Sequence, residues 1–253
     1  MNKLIVAGTI TMMTIALGVG SCASSKPKPT ADEFEPLPGG GAQWTADIDA
    51  RAKSFISPPP KIPAFSRFLL GFAEREFDKE LLPGRVLTWS TDMGVASGAL
   101  ELYVEKGAAK VLEPRMVYIL RMQVSYAASC PFAIDVNSWM YKDHGITEEE
   151  IRAIQGDVPI SDVSTFSERE KAALRYAVAM TQTPLRFDEK LLSDVRRLFS
   201  HEEIVAIAAL SAKVNYWARF IEAMRIKPAG YTDDPLLRLE DFATWDAAAT
   251  EGD

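Results

Sequence analysis

The stretch SYAASCPFAIDVNSW, residues 125–139, decides how this chain is read. Cys130 stands directly before Pro131. Proline suits the first position of a helix, where its missing N–H leaves nothing unpaired and its fixed φ is already helical. The pattern predicts a helix opening at Pro131 with Cys130 at the N-cap. Residues 130, 133, 134 and 137 then share one helical face. A dithiol centre needs a second cysteine three residues on, and Ala133 stands there. A histidine seven residues on would share the face, and Asn137 stands there. The segment therefore presents one thiol. The N–H groups and dipole at a helix start favour its thiolate, whereas an apolar pocket opposes it. Two readings follow: a one-cysteine reactive site reset by an external thiol, or a small buried residue at a helix junction.

Working outward, the chain reads as helices. PAFSRFLLGFAEREFDKEL spaces Phe65, Phe68, Leu69 and Phe72 helically. A long helix is predicted from about Arg85 to Lys106, with Val86, Met93, Ala96, Leu100 and Val104 inward and Gly107 as its stop. Glu113-Pro114 opens the next, with Met116, Ile119, Leu120 and Val124 on its apolar face. The helix from Pro131 is expected to end near His144-Gly145. Thr147 with Glu150 and Ser167 with Glu170 are capping-box pairs for two further helices. Asp188–Phe199 and a long segment from Ser200 to about Ile226 complete the set. No alternating strand pattern stands out, and helical hairpins are the expected unit.

The N-terminal residues read differently. Lys3, an uncharged run from Leu4 to about Gly20 and small residues before Cys22 make a secretory signal over 1–21. Val19-Gly20-Ser21-Cys22 resembles a lipobox, with Cys22 the lipid-bearing residue of an anchored protein. An ordinary cleaved signal and an uncleaved anchor are the alternatives, the run being short for a bilayer span. Residues 22–43 are rich in Pro, Gly, Ser and charge and read as a flexible tether. The helical domain is placed at 44–233, with SPPPKIP at 57–63 as an internal break and 234–253 as a C-terminal tail. The chain has only two cysteines, so lipid on Cys22 leaves Cys130 without an intramolecular partner.

The 253 residues are 47% hydrophobic and 25% charged, enough for a sizeable core. A net charge of −7 without a basic run disfavours nucleic acid. Phosphate loops, hydrolase triads and zinc-spaced clusters do not stand out, and no cofactor is implied. His144 and His201 sit far apart at helix ends, where surface positions are expected. Asp135 and Asn137 are expected to bond locally, and Glu170 to serve its capping box. Asn215 and Arg219 lie one helical turn apart and are read as a polar clamp between helices or subunits, with a ligand site as the alternative.

LEPRMVYILRMQVSYAASCPFAIDVNSWMYKDHGITEEEI, together with FSEREKAALRYAVAM and FSHEEIVAIAALSAKVNYWARF, resembles the carboxymuconolactone decarboxylase / alkylhydroperoxidase-D-like family over roughly residues 60–230. The resemblance implies an all-α bundle of helical hairpins that forms homo-oligomers, and it includes the Asn215/Arg219 pattern. In its peroxidases the motif resembles E-x11-C-x-x-C-x-x-x-H. Cys130 matches the first cysteine, while Tyr118, Ala133 and Asn137 stand at the glutamate, second cysteine and histidine positions. Alanine is no redox partner, and neither asparagine nor a neutral tyrosine replaces the proton relay. No full set of substrate-binding residues supports a decarboxylase.

The function expected is thus that of an exported, lipid-anchored protein of the bacterial cell envelope. Its dithiol peroxidase centre is incomplete, and residual chemistry passes through Cys130 with a small thiol or peroxide. The alternatives are a non-catalytic oligomeric binding or assembly module and a small-molecule lyase in the same helical pocket.

Overall fold

The computed structural model describes residues 54–77 and 79–239, all within one compact unit. The signal segment, Cys22 and the tether lie outside the described residues, as does everything after 239. Among the described residues there are nine α-helices and no strand. They are α1 (Ala64–Phe77), α2 (Leu82–Leu87), α3 (Thr91–Val111), α4 (Pro114–Ala127), α5 (Pro131–Ser138), α6 (Glu148–Gln155), α7 (Glu168–Thr181), α8 (Glu189–Leu198) and α9 (His201–Ala223). Short 3-10 turns occupy Tyr141–His144, Ile160–Asp162 and Pro235–Leu237.

Helix α4 is the centre of the bundle. It packs against α5, α6, α7 and α9, and ten of its fourteen residues are buried. Ile119, Leu120, Met122 and Val124 have no exposed surface, each side chain contributing roughly 1.5–3 kcal/mol by leaving water. Helix α9 covers α4 and also packs on α3, α5 and α7. It is long and apolar enough to cross a membrane by composition alone, yet it lies against those four helices and buries Lys213.

Side-chain caps set where the helices begin. Thr147, Ser167 and Ser200 each accept the backbone N–H three residues on, and Glu150, Glu170 and Glu203 reach back to complete three capping boxes. Two of these boxes share a cation. Glu150 and Glu170 each use Oε2 for their own helix start and Oε1 for Arg115, at 2.6 and 2.8 Å. One guanidinium thereby joins the start of α4 to the starts of α6 and α7.

The helix expected over 85–106 is two helices. Thr88 Oγ1 bonds back to Arg85 O, and Ser90 caps a new start at Thr91, so side chains that compete for backbone groups break the run. Gly107 does not stop α3, which continues to Val111 and leads into the buried Leu112. The inward face also differs. Met93 and Ala96 are exposed, while Ser97 and Ala108 are buried. The helix from Pro131 ends at Ser138 rather than near His144; Tyr118 Oη then accepts the Met140 N–H, and a 3-10 turn closes on Gly145 at φ +64°.

After α9 the chain folds back over the bundle. The buried Asp135 carboxylate accepts N–H bonds from Ala229, Gly230 and Thr232 at 2.8–2.9 Å. Asp135 therefore bonds across nearly a hundred positions of sequence, not locally as expected. Tyr126 donates to Leu237 O, and Leu237 is fully buried.

Arg115→Ala leaves Glu150, with only 1% of its side chain exposed, uncompensated. The expected loss is about 3 kcal/mol at pH 7 in urea denaturation. Burial alone would raise Glu170, but bonds from Ser167 and Arg115 hold it below its ordinary 4.5. That contribution is present above pH 4.5 and is lost as pH falls through the lower, folded value. The wild-type advantage over Arg115→Ala should accordingly shrink near pH 3.

Candidate functional site

Cys130 lies at the junction of α4 and α5. Its φ and ψ of −108° and 102° are those of an N-cap, and Pro131 occupies the first turn. The preceding Ser129 takes φ +50°, which turns the chain sharply between the two helices. Cys130 has no exposed surface. It belongs to a small apolar cluster with Val86, Phe132, Ala133, Ala218, Ile221 and Ile226, set apart from the main core. Ala133, one turn on, is 1% exposed and packs in the same cluster.

Burial pushes the Cys130 thiol far above its usual range. The N–H groups of Ala133 and Phe132 pull the other way, as a helix start should, but do not prevail. The Glu222 carboxyl, reaching in from α9, raises the thiol further. Glu222 is itself raised, mainly by burial, with Cys130 opposing. Its Oε1 is buried and accepts no hydrogen bond, so thiol and carboxyl are coupled without a closed bond on that oxygen. The coupling is one-sided: the carboxyl disfavours a second negative charge on the sulfur, while the thiol, as a donor, favours the carboxylate.

The positions that resemble a proton relay do not form one. Tyr118 is nearly buried, with its hydroxyl pushed up to about 12 by burial, and its ring stacks on His144 at 4.0 Å. His144 is therefore packed against a ring rather than free on the surface, and burial lowers its pKa. Asn137 is clamped: its Oδ1 accepts Nε and Nη2 of Arg121 at 2.9 and 2.7 Å, and its Nδ2 donates to Ser125 Oγ. Arg121 reaches on to Glu105, which accepts Lys213, which also bonds Glu101. Trp217 Nε1 completes the chain on Glu101. Burial alone would raise Glu105, but the Arg121 and Lys213 charges hold it below the carboxylate range. Where a mobile proton would be needed, ion-paired side chains and an amide are locked together across α3, α4, α5 and α9.

Asn215 and Arg219 both tie α9 to the end of α7. Asn215 Nδ2 donates to Thr181 Oγ1 and Ser211 O, and Arg219 donates to Thr183 Oγ1. Together with Glu222 they face one cavity of about 410 Å³, walled by Ala127, Ala128 and Ala218. The sequence reading missed Glu222, Arg121 and Lys213. Glu222 could have been found as the third member of the Asn215/Arg219 face, at spacing i, i+4, i+7. Lys213 stood out as a lone charge in an apolar run, which demands a partner. Among the described residues no three His, Cys, Asp or Glu side chains come together to hold a metal ion.

The geometry makes a direct prediction about the thiol. Glu222→Gln removes the negative charge facing Cys130, so the thiol pKa should fall, as measured by the pH dependence of thiol absorbance in the full chain. An unchanged titration would show that Glu222 does not act on the sulfur.

No family model matches the chain. It is 27% identical over 119 residues to Uncharacterized protein YnjA of Escherichia coli, matching 47% of this chain and 64% of that one. It is also 27% identical over 107 residues to Uncharacterized protein YdfG of Bacillus subtilis, matching 42% of this chain and 71% of that one. The chain thus spans about two thirds of the length of these relatives. Among solved structures, the debrominase Bmp8 superposes with a TM-score of 0.62 at 19% identity, covering 74% of this chain and 96% of that one. That structure is a cysteine-to-alanine variant in complex with 2,3,4-tribromopyrrole. An alkylhydroperoxidase AhpD core, a peroxidase-related protein of Ralstonia eutropha, superposes at 0.58 with 15% identity over 74% of this chain and 96% of that one. The described domain has the alkylhydroperoxidase-D-like fold, and its structural neighbours are proteins of the carboxymuconolactone decarboxylase / alkylhydroperoxidase-D-like family.

Proposed function

We propose that the domain performs thiol-dependent chemistry on a small molecule through Cys130 alone, with Glu222 as proton acceptor. The observation that carries this reading is the position of Glu222, which lines the cavity beside α9 and also acts on the buried sulfur. Moving the proton from thiol to carboxylate leaves the net charge of the pair unchanged. A buried pair makes that exchange more readily than it releases a proton to water.

With a hydroperoxide the steps balance as follows. The thiolate attacks the distal oxygen, the O–O bond breaks, and the leaving alkoxide takes the proton held by Glu222. The sulfur becomes a sulfenic acid, and the peroxide is reduced to an alcohol. One external thiol then condenses with the sulfenic acid, releasing water. A second thiol attacks the mixed disulfide and restores Cys130. Ala133 supports the external reductant, because it cannot resolve the sulfenic acid within the motif. The complete burial of Cys130 favours a second reading, a non-catalytic scaffold whose thiol is only packed.

The pH profile separates the two. With Glu222 as acceptor, peroxide oxidation of Cys130, followed by sulfenic-acid trapping and mass spectrometry, is flat with pH once the carboxyl is ionised. In Glu222→Gln the rate instead climbs about tenfold per pH unit below the thiol pKa, because the proton must leave to water. No oxidation in either protein leaves the packed-thiol reading standing.

Export and lipid attachment at Cys22 belong to the same proposal, supported by Lys3, the apolar run and the residues before Cys22. Assembly with further copies of the chain is supported by exposed apolar side chains along α1–α3, among them Phe65, Phe68, Trp89, Leu102 and Tyr103. Cys22→Ser should abolish the lipid mass on the mature N-terminus, read by intact mass spectrometry.

A further inference from the structure

The cavity beside α9 has a polarity that identifies the kind of molecule it takes. Two of the residues that line it each carry a buried acceptor without a hydrogen-bond partner, Asn215 Oδ1 and Glu222 Oε1. The Asn215 amide cannot be turned to relieve this. Its Nδ2 is required by Ser211 O, a carbonyl that only accepts, and by Thr181 Oγ1, whose own proton goes to Ala177 O. Its Oδ1 is therefore left aimed away from those partners. A buried acceptor left unpaired is costly, and two on one cavity are best explained by a partner that supplies donors.

The third polar group has the opposite character. Arg219 uses one N–H for Thr183, and among the described residues no carboxylate comes within ion-pairing distance of it. Arg219 lies between Asn215 and Glu222 along the same face of α9, so cation and acceptors line one cavity. A guanidinium in that position suits a carboxylate or similar acidic oxygen group.

We infer that this cavity binds a small acidic molecule that also carries N–H or O–H donors, its anionic oxygen on Arg219 and its donors on Asn215 and Glu222. The inference names the ligand class for the site proposed above and depends on that proposal only in treating the cavity as the approach to Cys130. The donors meet Glu222, the residue that faces the sulfur, so the bound molecule is oriented with its donor end toward the thiol.

Three probes isolate the two ends: 3,5-dihydroxybenzoate, 3,5-dimethoxybenzoate without donors, and resorcinol without the carboxylate. Each is titrated into the purified full chain by calorimetry. The dihydroxy acid should bind about tenfold tighter than either analogue, the value of one well-placed hydrogen bond or ion pair. Asn215→Leu should erase most of the preference for hydroxyl over methoxy. Arg219→Gln, at an exposed position with little risk to folding, should erase the preference for the acid over resorcinol and the salt dependence that accompanies it. Equal binding of all three probes, or no binding of any, overturns the inference and leaves the acceptors to water. The calorimetry is run without peroxide and reads binding alone, whereas sulfenic-acid trapping reads oxidation of Cys130. A failure of thiol chemistry and a failure of ligand recognition are therefore read in separate experiments.

Discussion

Burying α4 on nearly every side forces each charge it carries to find a partner inside the protein. Arg115 at its start is met by the two capping-box glutamates of α6 and α7. Arg121, two turns on, is met by Asn137 and Glu105. These contacts do more than satisfy the arginines. The first sets where two helices begin relative to the core, and the second holds α5 against α4 and α3. An arginine in such a place gives up hydration, and the surrounding geometry replaces it: Arg115 donates four hydrogen bonds to oxygen and Arg121 three.

The same constraint shapes the chemistry. In the peroxidases that the motif resembles, a carboxylate and an imidazole pass a proton toward sulfur. Here the imidazole position is an amide held by a guanidinium, and the carboxylate position is a tyrosine whose hydroxyl is engaged by Met140. Neither pair moves a proton near neutral pH. The acid that remains beside Cys130 enters from another helix altogether, Glu222 of α9. It comes with a cavity on its far side and an apolar cluster around the sulfur. Burial there disfavours the thiolate, which protects the sulfur from adventitious oxidation.

Much of the helical architecture was legible in the residues. The Thr147/Glu150 and Ser167/Glu170 boxes were readable because cap and partner are three residues apart on one helix, and Pro131 marked a helix start for the same local reason. The break at Thr88–Ser90 was not, because the apolar spacing runs through it and only competing side-chain bonds interrupt the helix. The role of Asp135 was out of reach as well. Its three donors come from residues 229–232, and no local pattern records that a returning segment will need an acceptor there.

The sequence alone determined that one thiol stands where two would be required, since chemistry at Ala133 is settled by the identity of the side chain. It determined the order of the helices for a similar reason, because hydrogen bonds within a helix and at its caps join near neighbours. Only the tertiary structure decided what surrounds that thiol. Cys130 and Glu222 are separated by most of the helical core along the chain, and their coupling exists because α9 lies across the end of α4. Electrostatics and burial depend on distance through space, and spacing along the chain does not encode it.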